Sequence, residues 1–371
     1  MVSASAATER TDIGDEAADR GDRPVAVWLL VCCAMIFLMV VIGGLTRLTL
    51  SGLSITEWEP VTGIVPPLSS ADWAAEFAKY QAIPQYKLIN AGMGLAQFKT
   101  IFWWEYTHRL WGRLIGFVYL LPFLYFLVRR RIPRRLVAPL AGIFALGFAQ
   151  GALGWYMVES GLAHRVEVSQ YRLTAHLALA LAIYALTLWA ALGLLGNQPA
   201  PTHADALPSP ACGGGSGWGR RWRRASEAIL CLVAVTIVAG GFTAGLNAGL
   251  IYNTFPLMGG HLVPGDYAAL TPFVRNWFEN PAAAQFDHRL LAMTAAASII
   301  VLWLIARRAA LPRPARLALH ALLTAAALQV ALGISTLLLV VPIPLAAAHQ
   351  AGAVVLLTAA VVFRHKLRAP A

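Results

Sequence analysis

Charge is scarce in this chain. Only 13% of its 371 residues are Asp, Glu, Lys or Arg, against 58% hydrophobic, whereas an ordinary soluble domain carries about 25% charged residues. That scarcity excludes a soluble enzyme and points to an integral membrane protein, and the polar stretches are too short to hold a separate soluble domain. Cysteine is equally scarce. Of the four, Cys32 and Cys33 are neighbours in one apolar run, Cys231 lies in another, and Cys212 lies in a loop rich in Gly, Pro and Ser. This spacing supports neither a disulfide framework nor a cysteine metal site. Residues 1–23 contain six acidic residues and no apolar stretch, which is unlike the acid-poor signal and transit peptides, so the segment is expected to remain as a disordered cytoplasmic tail.

What is present is a series of apolar runs, at 24–46, 100–128, 136–158, 172–195, 226–246, 283–306, 317–340 and 344–363. Each is long enough to cross a bilayer as a helix, for which about 20 apolar residues are needed. Eight spans place both termini on one side. Basic clusters near Arg130, Arg223, Arg308 and Lys366 follow the even-numbered runs, and with Arg10, Arg20 and Arg23 they put nineteen of the 29 basic residues there. The positive-inside rule makes that side cytoplasmic, in a bacterial inner membrane. The formal charge of +11 is thus a topology signal and implies no nucleic-acid partner. The other side carries two long loops, 47–99 and 247–282, and loops of that length are usually functional. In the first, Trp73, Phe77 and Tyr80 suit a helix lying in the membrane interface.

The two halves repeat. Gly43-Gly44-Leu45-Thr46 returns as Gly240-Gly241-Phe242-Thr243 at an offset of 197, and Gln150 to Gly154 returns as Gln329 to Gly333 at 179. His108-Arg109-Leu110 returns as His288-Arg289-Leu290 at 180, and Thr174-Ala175-His176 as Ala347-Ala348-His349 at 173. The expected fold is all-α, with two pseudo-symmetric four-helix bundles of the same orientation, at 24–195 and 225–364, joined by a cytoplasmic linker at 196–224.

Four of the nine histidines, His108, His176, His288 and His349, lie inside apolar helices, where a lone polar group costs several kcal/mol unless it is paired or liganded. The helices that carry them run the same way, and each histidine falls about 8–13 Å below the outer start of its span at 1.5 Å per residue. His108 can therefore face His176, and His288 can face His349. Facing histidines with apolar walls are what a six-coordinate haem requires; the plainer alternative is two interhelical hydrogen bonds. Zinc or di-iron would ask for Cys or for several Glu-x-x-His elements, and only Glu105-x-x-His108 is present. Arg109 and Arg289 follow the first histidine of each pair and either meet haem propionates or snorkel to the interface.

One position breaks the symmetry. Glu105 stands one helical turn before His108, and its repeat equivalent is Gln285. A carboxylate in a span is costly unless it is used, which suggests that one bundle does chemistry while the other holds a cofactor. The alternative is a simple i, i+4 ion pair with Arg109.

Along nearly its whole length the chain resembles the haem A synthase family of the mitochondrial and alphaproteobacterial type. The resemblance rests on Tyr80-Gln81-Ala82-Ile83-Pro84-Gln85-Tyr86-Lys87, on Trp104-Glu105-Tyr106-Thr107-His108-Arg109-Leu110-Trp111-Gly112-Arg113, on Thr254 to Met258 and on Phe286 to Arg289. It implies an enzyme that oxidises the C8 methyl of haem O to a formyl group, giving haem A for cytochrome oxidase. By position it also implies that His288 and His349 are axial ligands of a haem B cofactor, that His108 and His176 hold the substrate haem toward the periplasmic side, and that Glu105 is the catalytic carboxylate. The expected partners are the lipid bilayer, the haem O substrate, a haem O synthase that hands it over, and a second copy of the chain. The cysteine pair that one branch of the family carries in the first outer loop is missing here. A di-haem electron-transfer cytochrome is the competing reading; it accounts for the histidines and leaves the exchange of Glu105 for Gln285 unexplained.

Overall fold

A computed structural model describes residues 5–59, 62–164, 166–196 and 217–368. Most of the linker expected at 196–224, and Cys212 with it, lies outside these. Eight helices are long and apolar enough to cross a membrane: α1 (Ser5–Leu48), α2 (Leu95–Val128), α3 (Arg134–His164), α4 (Gln170–Leu195), α5 (Gly217–Gly245), α6 (Pro281–Ala306), α7 (Arg313–Leu338) and α8 (Ile343–Lys366). Among the described residues there is no strand, only an isolated bridge between Met258 and His261.

The helix ends follow local chemistry. Prolines stand in the first turn of α6, α7 and α8, where a missing N–H is harmless. The Asn280 side chain caps α6 by accepting from the Ala282 N–H at 2.9 Å. Helix α1 runs from Ser5 through Pro24 to Leu48, and its membrane-spanning part begins at Arg23.

Packing follows the halves of the sequence. In the first, α1 contacts α2 and α4, and α3 bridges α2 and α4; in the second, α5 contacts α6 and α8, and α7 bridges α6 and α8. Each half thereby closes a ring of four helices. The halves meet through α1 and α4 on one side and α5 and α8 on the other, with the Tyr184 and Thr358 hydroxyls bonded across the seam at 2.7 Å.

A single fully buried apolar cluster draws on all eight spans, and where it stops is informative. Along α2 and α6 it begins at Tyr119 and Ile299, each 11 residues beyond His108 and His288. Along α4 and α8 it begins at Leu181 and Val354, each 5 residues beyond His176 and His349. All four histidines therefore lie above the packed core, toward the long loops, with partly accessible rings.

Helices Ser70–Ala82 and Pro84–Leu88 form a hairpin in the first long loop, started by a capping box between Ser69 and Asp72. Trp73 and Tyr80 do not face a membrane interface, as expected from the sequence; they are buried against Leu53, Phe98 and Phe102. The aromatic face of α2 supplies their partners, Trp73 meeting Phe102 edge-on at 4.9 Å.

Candidate functional site

Each of the four membrane histidines rests against a glycine of the neighbouring helix. A Cβ added to Gly43 of α1 would lie 3.1 Å from His108 Nε2, and one added to Gly154 of α3 would lie 3.0 Å from His176 Cε1. At Gly240 of α5 and Gly333 of α7 the approach to Cε1 of His288 and of His349 is 2.9 Å. Odd-numbered spans give the glycine and even-numbered spans the imidazole. Neighbouring motif residues complete the seat. Thr46 and Thr243 donate to the carbonyls of Trp104 and Ala284, at 3.3 and 3.0 Å, one turn before His108 and His288. Gln150 and Gln329 donate to the main-chain carbonyls of His176 and His349, both at 3.0 Å. Read from the sequence, these motifs marked only a duplication; in the structure they are the supports of the histidines.

In the second half the spacing of the pair matches what a metal between two imidazoles would need. The His288 and His349 ring centroids are 6.4 Å apart, with their planes at 83°. An imidazole nitrogen binds a metal at about 2.0–2.1 Å with its centroid roughly 1.1 Å behind, so two imidazoles on opposite sides of one metal have centroids about 6.3 Å apart. His288 Nδ1 is bonded to the Thr236 carbonyl at 3.0 Å, and His349 Nδ1 lies 3.2 Å from Gln329 Nε2. Donating Nδ1–H to the Thr236 carbonyl fixes the His288 ring and leaves its Nε2 to ligate; the Gln329 amide nitrogen can only donate to His349 Nδ1, which keeps that ring's proton on Nε2, so His349 would ligate with the amide turned to offer its unpartnered oxygen instead. Among the described residues no group of three or more His, Cys, Asp or Glu side chains could hold an ion alone. A two-histidine site above an apolar core accordingly fits a metal that brings its own equatorial ligands, as iron in a porphyrin does. In the first half His176 Nδ1 is buried without a partner. It lacks the anchor that Thr236 gives His288.

Glu105 is 2% exposed and fully engaged. Its Oε1 accepts from Arg109 Nε at 3.1 Å and Nη2 at 2.7 Å, and its Oε2 accepts from the Ser54 hydroxyl and the Ile55 N–H, both at 2.8 Å. The ion pair with Arg109 left open by the sequence is present. Arg109 also donates to the carbonyls of Ile55 and Glu57, at 2.8 and 2.9 Å. Arg289 does the same to Tyr252 and Thr254, at 2.6 and 2.8 Å. These carbonyl pairs are again 197 residues apart, so one clamp occurs twice. Its occupant differs: Gln285 donates to the Tyr252 carbonyl at 3.2 Å, while its own Oε1 and Arg289 Nε are buried and unpartnered.

The turn that carries Ser54 and Ile55 starts from strain. Leu50 has φ +53° in a Schellman turn closed by Ser51 N–H to Thr46 O and Leu50 N–H to Arg47 O. A left-handed leucine costs about 1–2 kcal/mol. Its repeat equivalent is Asn247, φ +52°, a residue that tolerates the conformation well.

Comparison with known proteins places these features in context. Residues 26–361 match the family model described as cytochrome oxidase assembly protein, COX15-CtaA. The chain is 54% identical to the heme A synthase of Nitrosospira multiformis, over 93% of this chain and 94% of that one. It is 51% identical to the heme A synthase of Rhodospirillum centenum, covering 96% and 92%. To heme A synthase COX15 of Bos taurus it is 44% identical, covering 94% and 83%.

Proposed function

Since the chain belongs to the cytochrome oxidase assembly protein family, we propose that it is a membrane haem A synthase whose two halves divide the work. It oxidises the C8 methyl of haem O to the formyl group of haem A. Residues 24–195 receive haem O between His108 and His176, and residues 225–364 keep a haem B between His288 and His349. Bound there, haem B supplies a one-electron redox centre.

The conversion of a methyl to a formyl group takes up one water and releases four protons and four electrons. It proceeds through two hydroxylations, each removing two electrons from the substituent, and the second yields a gem-diol that loses water. The residues of the first half meet the charge and proton demands of these steps. Glu105 presents a carboxylate one turn from His108, suited to stabilise positive charge at the methyl carbon being oxidised or to take a proton from it. Because all its acceptor positions are filled, proton traffic has to pass through a donor, and the Ser54 hydroxyl can donate to Oε2 while accepting a proton on its own lone pairs. Arg109, tied to two loop carbonyls, keeps the carboxylate from turning away.

The observation that carries this division of labour is the exchange of Glu105 for Gln285 inside one repeated clamp. The His288 ring, held through its Nδ1–H by the Thr236 carbonyl, agrees with a resident cofactor, and the unpartnered His176 Nδ1 with a substrate that comes and goes. The distribution of basic residues supports cytoplasmic termini and, with them, histidine pairs toward the periplasm. Delivery of haem O by a docked haem O synthase suits a substrate with a lipid tail, and a second copy of the chain remains a compatible partner. Extraction of the pigments from the purified protein tests the reading: haem B accompanied by haem O or haem A is expected, and haem B alone would favour an electron carrier.

A further inference from the structure

The run from Tyr80 to Lys87 is the most distinctive in the chain, and neither haem site uses it. At its centre Gln85 is 2% exposed and Tyr80 is 0% exposed. Asn90 Nδ2 donates to the Tyr80 hydroxyl at 2.6 Å, the hydroxyl donates to Gln85 Oε1 at 3.1 Å, and Gln85 Nε2 donates to the Leu50 carbonyl at 3.2 Å. Burial pushes the Tyr80 phenol up from its usual range, so it stays a donor. The network thus ends on the left-handed residue from which the Ser51 to Ile55 turn departs, and that turn supplies the two bonds to Glu105 Oε2. Leu53, in the same turn, is buried in the aromatic cluster that the hairpin shares with α2.

We propose that the hairpin formed by Ser70–Ala82 and Pro84–Leu88 is a clamp for the Glu105 carboxylate, and that Gln85 is a positioning residue acting through the Leu50 carbonyl and the Ser54–Ile55 turn. The inference rests on Glu105 being the reacting carboxylate. Its logic is geometric. The Schellman bonds hold the N–H groups of Leu50 and Ser51, while the Leu50 carbonyl, from which the Ser51 to Ile55 turn leads away, is held by the buried Gln85 amide. Release of that peptide would loosen Ser54 and Ile55, and with them both bonds to Oε2 and the Ile55 carbonyl that holds Arg109. In the second half no glutamine reaches the equivalent residue; Asn247 instead bonds Arg47 and Glu167, and no carboxylate there needs to be aimed.

The test uses the full-length protein with Gln85→Met, which keeps the length of the side chain and removes both of its hydrogen bonds. Two readouts are compared: amide exchange over residues 50–56, and the kinetics of haem O oxidation. Amide exchange at Ile55 is expected to speed up by about tenfold or more, since a local opening governs it. The rate constant for haem A formation should fall about tenfold, as misplacement of a catalytic group by a fraction of an ångström does, while the KM for haem O and the content of resident haem stay at wild-type levels. Ser54→Ala should slow the reaction as well, and the double variant should lose less than the product of the two single losses, because both act on the bonds to Oε2 and coupled residues are non-additive. Unchanged exchange at 50–56, or additive losses in the double variant, would overturn the clamp. Loss of resident haem together with faster exchange throughout the chain would do so too, by showing that Gln85 only holds the fold. The exchange arm does not depend on the chemistry, so an error in the role of Glu105, visible as normal turnover in Glu105→Gln, is separable from an error in the clamp.

Discussion

His288 and His349 face one another with ring centroids 6.4 Å apart, and each has its Nδ1 engaged by the helix beside it. The spacing suits the proposed axial ligands of a low-spin iron. Replacing either residue with Ala should abolish the low-spin signal of the resident haem B in the purified protein, read by absorption and electron paramagnetic resonance. Survival of that signal in both variants would contradict the assignment.

The glycine seats make a second, independent prediction. In Gly333→Ala the new Cβ would come to 2.9 Å of the His349 ring. Overpacking of this kind costs about 1–3 kcal/mol, so resident haem should be retained roughly tenfold less tightly, at 1.4 kcal/mol per decade. Gly147→Ala serves as the control on α3, because a Cβ there meets nothing within 4 Å. The haem-to-protein ratio after detergent washing checks both.

The strained turn can be relaxed. Leu50→Asn copies the residue found at the equivalent Asn247, whose φ is +52° against +53° at Leu50. Removing the steric cost of a left-handed leucine should stabilise the protein by about 1 kcal/mol, which thermal unfolding in detergent would register as a rise of a few degrees. A fall in the midpoint would show that the Leu50 side chain contributes more through packing than its conformation costs.

How far the sequence carries toward this picture depends on the residue. The eight spans are legible because apolar runs are local and the bilayer sets their length. The histidines are legible because a lone imidazole in a span is expensive, and Glu105 because its repeat partner is an amide. Gly43, Gly154, Gly240 and Gly333 are visible as a motif but not as seats, since small residues in spans equally mark plain helix contacts. Ser54 and Ile55 are hidden altogether. They reach Glu105 from about fifty residues away, and one of the two bonds uses a main-chain N–H that leaves no trace in composition. Trp73 and Tyr80 misled because an aromatic stripe reads alike whether it faces lipid or, as here, the side of α2.

Glu105→Gln tests the central claim most directly. Gln285 shows how an amide sits in this clamp, donating to a loop carbonyl while the adjacent arginine keeps its own carbonyl bonds. The variant should therefore fold, bind haem O through His108 and His176, and retain its resident haem. Pigments extracted from cells expressing it should contain haem O or a partly oxidised intermediate, with haem A reduced by at least a hundredfold, the scale of a lost electrostatic or acid–base group. Haem A at the wild-type level would mean that Glu105 only pairs with Arg109, and that the two halves do not divide the work in this way.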